Sequence, residues 1–203
     1  MDMGVMVRLL RPYVELSREQ LASTSTYIDL LLKWNARVNL TAVRDPEEMV
    51  TRHFGESFFV AGHLLRPGWR GSVIDVGSGA GFPGLPIAIW APDAEVTLIE
   101  SNGKKAAFLN EVIFALGLKN ARVWNRRAEV FEGNADLVTM RAVEKFEAAL
   151  EMATGLVKPG GRIGLMVGSS QVVFARRAEG FVWQEPILIP GGHSRVLLVG
   201  TRF

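Results

Sequence analysis

Hydrophobic residues in the first third of the chain recur at helical spacing. This pattern predicts a helix over residues 17–34, with Ser17 and Gln20 placed to form a capping box at its start. Its apolar positions are Leu21, Ile28, Leu31 and Leu32. A second helix is predicted over residues 45–65, because Asp45-Pro46 combines a capping side chain with a proline suited to the first helical position. Two helices are therefore expected ahead of the first strand.

Short β-branched runs and helical stretches alternate from residue 72 onward. The predicted strands cover residues 72–76, 94–99, 121–125, 135–140 and 162–167, and the predicted helices between them include residues 104–116 and 146–157. Strands joined through helices need crossover connections, which predicts a mainly parallel sheet with helices on both faces. Residues 181–189 and 195–203 predict a C-terminal antiparallel hairpin. We expect one α/β domain, residues 71–203, with a helical extension, residues 1–70, packed on it.

Composition narrows the class of protein. A chain of 203 residues that is 48% hydrophobic can bury one substantial core. It has no cysteine, which excludes a disulfide framework and a thiolate zinc site, and no apolar run approaches the length of a membrane span. We expect a cytoplasmic protein without a metal site. Because 17 of the 23 basic residues are Arg, contacts to RNA phosphates are plausible.

A glycine-rich turn separates the first predicted strand from the helix that follows it. Gly77-Ser78-Gly79-Ala80-Gly81 allows a tight turn and a close approach of the backbone to a nucleotide-like ligand. The turn departs from the dinucleotide-binding fingerprint, because Phe82 replaces its third glycine and Pro83 and Pro86 remove amide donors. Binding of a pyrophosphate is therefore disfavoured.

Two carboxylates flank this turn. Asp75 lies two residues before Gly77, where a negative charge would repel phosphate and suit the cationic methionine end of S-adenosylmethionine. Glu100 ends the second predicted strand and is placed to accept hydrogen bonds from both ribose hydroxyls. Together with the later turn Lys158-Pro159-Gly160-Gly161, these residues predict an S-adenosylmethionine site.

Motifs along most of the chain, from about Tyr27 to the C-terminus, are similar to the signatures of one family. They are Trp34-Asn35-Ala36-Arg37-Val38-Asn39-Leu40-Thr41-Ala42-Val43, Arg52-His53-Phe54 with Ser57, Gly77 to Pro86, Glu100-Ser101 with Lys104-Lys105 and Phe108-Leu109, and Arg141-Ala142. The family is that of the bacterial 16S ribosomal RNA guanine methyltransferases known as RsmG or GidB. The stretch around Trp34 and the proline-bearing turn are its specific features.

The resemblance implies a fold and a reaction. The fold would be the class I S-adenosylmethionine-dependent methyltransferase fold, which is Rossmann-like, with a mostly parallel seven-stranded sheet and a C-terminal antiparallel hairpin. The reaction would be methylation of ring nitrogen 7 of one guanine in the decoding-region loop of 16S ribosomal RNA. The partner would be that RNA or the small ribosomal subunit. The sequence does not indicate the oligomeric state, and a monomer is the default expectation. Because ring nitrogen 7 carries a lone pair and no proton, no general base is required.

The resemblance also implies site residues. The cofactor contacts would be Gly77, Gly79, Phe82, Glu100, Ala128, Glu129 and Arg141. Arg141 would also orient the substrate, the alternative being a structural salt bridge with Glu129 or Asp136. Arg52 and His53 would contact RNA, the alternative being that they are packed or capping groups. Independently of the resemblance, the charged pair Arg126-Arg127 is interpreted as solvated surface, the alternative being a contact to RNA.

Three positions depart from the family pattern. Glu56 stands where the family usually has Asp, Met140 where it has Ser, and Val167 where it has a Lys that would face the substrate. Two other functions therefore stay open. One is methylation of a small molecule or a protein, and the other is regulation of a partner by an S-adenosylmethionine-binding module without turnover.

Overall fold

The computed structural model, which describes residues 1–141 and 145–203, opens with helices that pack together ahead of the sheet. Helix α1 (Met3–Leu10) was not predicted from the sequence. Helix α2 (Arg18–Asn35) confirms the predicted helix and its capping box. The Gln20 amide donates to the Ser17 hydroxyl at 3.2 Å, and the Ser17 amide donates to the Gln20 side chain at 2.9 Å.

The second predicted helix is interrupted. Helix α3 (Pro46–Met49) and helix α4 (Glu56–Leu64) are joined by a π-helical turn, Val50–Gly55. Asp45 caps α3 as expected, accepting a hydrogen bond from the Glu48 amide at 2.7 Å. The prediction of one regular helix over residues 45–65 was therefore wrong for Val50–Gly55, which are π-helical. A π-helical turn accommodates an extra residue and re-aims the side chains that follow, and such turns are frequent at functional sites.

Parallel strands form the centre of the sheet, and antiparallel strands lie at one side. The strands are β1 (Ser72–Val76), β2 (Glu95–Ile99), β3 (Ala121–Trp124), β4 (Ala135–Arg141), β5 (Val157–Gly168), β6 (Phe181–Trp183), β7 (Ile187–Leu188) and β8 (Arg195–Arg202). Their order is β3-β2-β1-β4-β5-β8-β6, with β7 also paired to β8. The pairs from β3 to β5 are parallel, and β8 is antiparallel to its neighbours. The predicted mainly parallel sheet with a terminal antiparallel unit is confirmed.

Helices cover both faces of this sheet. They are α5 (Gly84–Trp90), α6 (Gly103–Ala115), α7 (Phe146–Gly155) and α8 (Ser169–Ala175). One buried cluster joins α2, α4, α5 and α6 to one face, and a second joins α7 and α8 to the other. Because the first cluster runs without a break from the N-terminal helices to the sheet, it supports the proposal that residues 1–70 are an extension of residues 71–203.

The C-terminal region differs from the prediction in detail. The single strand predicted over residues 181–189 is divided into β6 and β7, so the described residues form eight strands rather than seven. The segment between them contains Pro186, which has no amide hydrogen to donate to the ladder. Ala142, which belongs to the motif that ends the fourth strand, lies outside the described residues. Within the part of the chain that is described, no helix is both long and apolar enough to cross a bilayer.

Candidate active site

The glycine-rich turn adopts a backbone that favours glycine. Gly77, Gly79 and Gly81 have φ angles of 65°, 58° and 93°, in the left-handed region that other residues rarely enter. A Cβ at Gly81 would also overlap the side chains of Tyr27 and Leu85. The turn connects β1 to α5 at the carboxyl edge of the parallel strands, where ligands bind in sheets of this type.

Asp75 lies beneath the turn instead of facing a ligand. Its side chain is fully buried, accepting a hydrogen bond from the Thr139 hydroxyl at 2.8 Å and another from the Gly84 amide at 3.2 Å. The expectation that this carboxylate meets the methionine end of the cofactor is therefore not supported. Asp75 instead ties β1, β4 and the start of α5 together. Burial raises its pKa to about 6, although the hydrogen bonds from Thr139, Ser78 and Gly84 act in the opposite direction.

Ionisation of Asp75 is expected to oppose folding. The pKa of Asp75 is higher in the folded than in the unfolded protein, so folding favours the protonated carboxyl. The resulting contribution to the free energy of unfolding is complete at low pH and is lost as pH rises through about 6. The free energy of unfolding of the wild type, relative to Asp75→Asn, should fall by about 1 kcal/mol between pH 5 and pH 7. Urea denaturation of both proteins at each pH measures this difference. A difference that stays constant or rises would contradict it.

A cleft of about 600 Å³ lies beside the turn, within the size range of small-molecule sites. It brings together four of the predicted cofactor residues, Gly77, Glu100, Ala128 and Glu129. The other lining residues are Val76, Ile99, Ser101, Arg126, Arg127, Lys145, Ala148, Ala149, Glu151 and Met152. Arg126 and Arg127 are exposed, as their interpretation as solvated surface predicted, and both also line the cleft.

Glu100 links the cleft to the turn. One carboxylate oxygen accepts a hydrogen bond from the Gly79 amide at 2.9 Å, and the other accepts one from the Asn102 amide at 2.7 Å. Each oxygen of an ionised carboxylate can accept a further hydrogen bond, so the pair retains capacity for two ribose hydroxyls. Ile99, Ala149 and Met152 add apolar surface suited to an adenine ring. The residues present therefore fit S-adenosylmethionine.

Phe82 lies outside the cleft lining, in a column of three rings. Its buried side chain stacks on Tyr27 at a centroid distance of 5.4 Å and on His53 at 4.9 Å. A cofactor contact by Phe82 stays a prediction. The geometry shows that the ring connects the cofactor turn to α2 and to the π-helical turn, two segments from the N-terminal extension.

Arg141 ends β4 and points toward the π-helical turn. Its guanidinium donates to the Arg52 carbonyl at 2.6 Å and forms an ion pair with Glu56 at 3.2 Å. The alternative of a salt bridge with Glu129 or Asp136 named the wrong partners, since Asp136 pairs with Lys158 at 3.1 Å. The proposed roles of Arg141 in cofactor binding and substrate orientation stay predictions.

Glu56 connects two arginines from distant strands. It is 1% exposed, and its second oxygen accepts a hydrogen bond from the Arg195 Nε atom at 2.8 Å and forms an ion pair with Arg195 at 2.7 Å. From the sequence, Glu56 was recognised only as a departure from the family pattern, and Arg195 was not identified as a site residue. The sequence signal for Glu56 was a carboxylate at the start of α4, just ahead of the apolar residues Phe58, Phe59 and Val60. Glu56, Arg141 and Arg195 are called the guanidinium cluster below.

His53 is held by the protein on several sides. Its Nε2 atom lies 2.7 Å from the Thr41 hydroxyl, and its Nδ1 atom lies 3.4 Å from an Arg141 nitrogen. Burial, together with the positive charges of Arg141 and Arg52, lowers the His53 pKa to about 3, so the imidazole is neutral near pH 7. This arrangement matches the packed-group alternative more closely than a free RNA contact. Arg52 forms a partly exposed ion pair with Glu48 at 2.9 Å, and its RNA contact stays a prediction.

Val167 faces the core. It is 5% exposed, pairs with Val196 of β8 and packs in the cluster beneath α8. A lysine at this position would have to run out of the core to reach solvent. Met140 is likewise buried, on β4. Neither Val167 nor Met140 lines the cofactor cleft.

Among the described residues, no group of three or more His, Cys, Asp or Glu is placed to hold a metal ion.

Comparison with known proteins identifies relatives along most of the chain. Residues 20–178 match the model of the GidB family, described as rRNA small subunit methyltransferase G. The protein of that name from Stenotrophomonas maltophilia (strain R551-3) is 45% identical over 144 residues, which is 70% of this chain and 66% of the relative's length. The protein of the same name from Roseiflexus castenholzii is 38% identical over 200 residues, covering 92% of this chain and 85% of the relative.

Solved structures share the fold at lower identity. A SAM-dependent methyltransferase from Aquifex aeolicus has a TM-score of 0.65 and 16% identity, and the match covers 81% of this chain and 97% of that one. TYW2 from P. horikoshii, solved in complex with MeSAdo, has a TM-score of 0.60 and 21% identity, covering 74% of this chain and 62% of that one. The fold is thus the class I methyltransferase fold. On the family model and the relatives together, this chain belongs to the GidB family, rRNA small subunit methyltransferase G.

Proposed function

We propose that this protein uses S-adenosylmethionine to methylate ring nitrogen 7 of a single guanine in the decoding-region loop of 16S ribosomal RNA. The observation that carries the proposal is the cleft formed by Gly77, Glu100, Ala128 and Glu129 beside the guanidinium cluster, at the same edge of the sheet, in a member of this family. The protein is expected to act as a monomer in the cytoplasm.

The two parts of this edge have separate tasks. Bound S-adenosylmethionine would supply a methyl group on a sulfonium, an electrophile that a neutral ring nitrogen can attack. Glu100 would hold the ribose, and Ala128 and Glu129 would hold the adenine through a backbone amide and a carboxylate. On the other side, the arginines Arg52, Arg141 and Arg195 exceed the carboxylates Glu48 and Glu56 by one positive charge, which favours a polyanion.

The residues support a mechanism based on positioning. Ring nitrogen 7 of guanine has no proton to lose, so the reaction requires no general base. Consistent with this, His53 is engaged at its Nε2 by Thr41 and stacked on Phe82. Catalysis would come from aligning nitrogen, methyl and sulfur, an effect that can supply roughly 7–11 kcal/mol in favourable cases.

Transfer of radiolabelled methyl groups tests the proposal. Small ribosomal subunits that lack the modification are incubated with the protein and labelled S-adenosylmethionine, and the labelled base is mapped by nuclease digestion. We expect label on one guanine at ring nitrogen 7, with none on large subunits. Transfer and RNA affinity should both fall steeply between 50 and 200 mM salt, because several phosphate contacts release counterions.

Other outcomes would select the alternatives. Cofactor binding without label on subunits or naked RNA would reject the ribosomal assignment. Label on a small molecule or a protein would identify a different acceptor, and absence of label on every acceptor would favour a regulatory cofactor-binding module.

A further inference from the structure

A tyrosine from the N-terminal extension reaches the backbone of the cofactor turn. Tyr27 lies on α2, and its side chain is fully buried. Its hydroxyl donates a hydrogen bond to the Ala80 carbonyl, which belongs to the turn. None of the motifs considered in the sequence assigns a role to this hydroxyl.

The Ala80 carbonyl is available to Tyr27 because of how α5 begins. In a regular helix the Gly84 amide would donate to the carbonyl four residues earlier, which is that of Ala80. Here the Gly84 amide donates to Asp75 instead. The Ala80 carbonyl therefore needs another donor, since an unpaired buried carbonyl is costly. Tyr27 supplies it.

Both polar groups of the Ala80–Gly81 peptide are thereby fixed. Its carbonyl accepts from Tyr27, and its amide, that of Gly81, donates to the Ser78 carbonyl at 2.6 Å. The absence of a Cβ at Gly81 makes room for the Tyr27 hydroxyl. On the other side of the turn, the Gly79 amide is held by Glu100. The turn is thus held from the sheet by Glu100 and from the extension by Tyr27.

The ring of Tyr27 adds a packing contact to the hydrogen bond. It stacks on Phe82 with an angle of 9° between the planes and meets Phe54 edge-on at a centroid distance of 4.9 Å. One side chain therefore contacts three consecutive turn residues, Ala80, Gly81 and Phe82. Burial raises the Tyr27 pKa well above its ordinary value, and nearby Asp75 raises it further, so the hydroxyl keeps its proton and remains a donor.

We propose that Tyr27 is a positioning residue for S-adenosylmethionine, whose hydroxyl fixes the Ala80–Gly81 peptide and so sets the conformation in which Gly77 and Glu100 meet the ligand. The inference rests on the cofactor binding of the proposed function. It makes the N-terminal extension part of the cofactor site, although no residue of that extension lines the cleft among the described residues.

The test is the affinity of Tyr27→Phe for S-adenosylmethionine, measured by isothermal titration calorimetry on the full chain. This variant keeps the ring and removes only the hydroxyl, which leaves the Ala80 carbonyl unpaired. We expect the dissociation constant to rise about tenfold. In steady-state methyl transfer, KM for S-adenosylmethionine should rise similarly, while kcat at saturating cofactor and KM for the RNA acceptor stay near their wild-type values.

Two control variants separate positioning from general loss of packing. Tyr13→Phe removes the hydroxyl of the other tyrosine of the extension. The Tyr13 ring packs at Gly55, and this variant should leave cofactor affinity unchanged. Phe54→Leu weakens the packing beside Tyr27 but keeps the hydroxyl, and should lower the free energy of unfolding while changing cofactor affinity less than threefold. Circular dichroism confirms that each variant is folded at the temperature of the titration.

The outcomes distinguish this inference from the proposed function. Equal affinities of the wild type and Tyr27→Phe would overturn the positioning role alone. An equal loss of affinity in Phe54→Leu would also overturn it, because the effect would then come from packing. A wild-type protein that did not bind S-adenosylmethionine would instead overturn the proposed function.

Discussion

Replacing Glu56 by Gln is expected to lower the free energy of unfolding by about 3–5 kcal/mol, because it leaves buried positive charge without its counter-charge. Glu56 is 1% exposed and pairs with two guanidiniums. Arg141 has a side chain that is 12% exposed, so water cannot replace the lost carboxylate there. Chemical denaturation at pH 7 measures the change. Glu56→Asp retains the charge and should recover part of the loss.

The matched control is Glu48→Gln. Glu48 also forms an ion pair with an arginine, Arg52, but both side chains of that pair are more than 40% exposed. Exposed pairs contribute little, so the free energy of unfolding should change by less than about 1 kcal/mol. If the two variants lost the same amount, the guanidinium cluster would have no special part in stability.

Replacing Glu100 by Ala is expected to raise the dissociation constant for S-adenosylmethionine about 100-fold. Two charge-assisted hydrogen bonds to ribose would be lost, each contributing about 1.5–3 kcal/mol before relaxation. The Gly79 amide would also lose its acceptor, which loosens the turn. Isothermal titration calorimetry measures the effect.

Glu95→Ala serves as the control for Glu100→Ala. Glu95 is an exposed carboxylate on the same strand, β2, at the end away from the cleft. Its removal changes the net charge equally but should leave cofactor affinity unchanged. An affinity of Glu100→Ala within threefold of the wild type would remove Glu100 from the cofactor site.

These variants probe two halves of one edge of the sheet. The proposed cofactor half includes the turns after β1, β2 and β3 and part of α7, and the proposed acceptor half includes the end of β4, the start of β8 and the π-helical turn. The column of Tyr27, Phe82 and His53 runs between them. Phe82 of this column belongs to the cofactor turn, and His53 belongs to the π-helical turn.

The sequence by itself determined the features that depend on local patterns. Alternating strands and helices predict a mainly parallel sheet, so the α/β class followed from periodicity, whereas the class I methyltransferase fold was implied by the resemblance to a family. Two of these features depend only on neighbouring residues in the chain, and the structure confirms both. They are the capping box at Ser17 and the tight turn that contains Gly77, Gly79 and Gly81. Glu100 was identifiable because its position at the end of a strand places it at the carboxyl edge of the sheet.

Only the tertiary structure decided which distant groups meet. Glu56 and Arg195 are 139 residues apart in the chain, and Tyr27 and Ala80 are 53 apart. Asp75 was assigned to the ligand from its position, yet the fold buries it against Thr139, 64 residues later. Charge and hydrogen-bond partners across such separations depend on strand order and helix packing, because local periodicity specifies which face of an element is buried and not which side chain lies opposite.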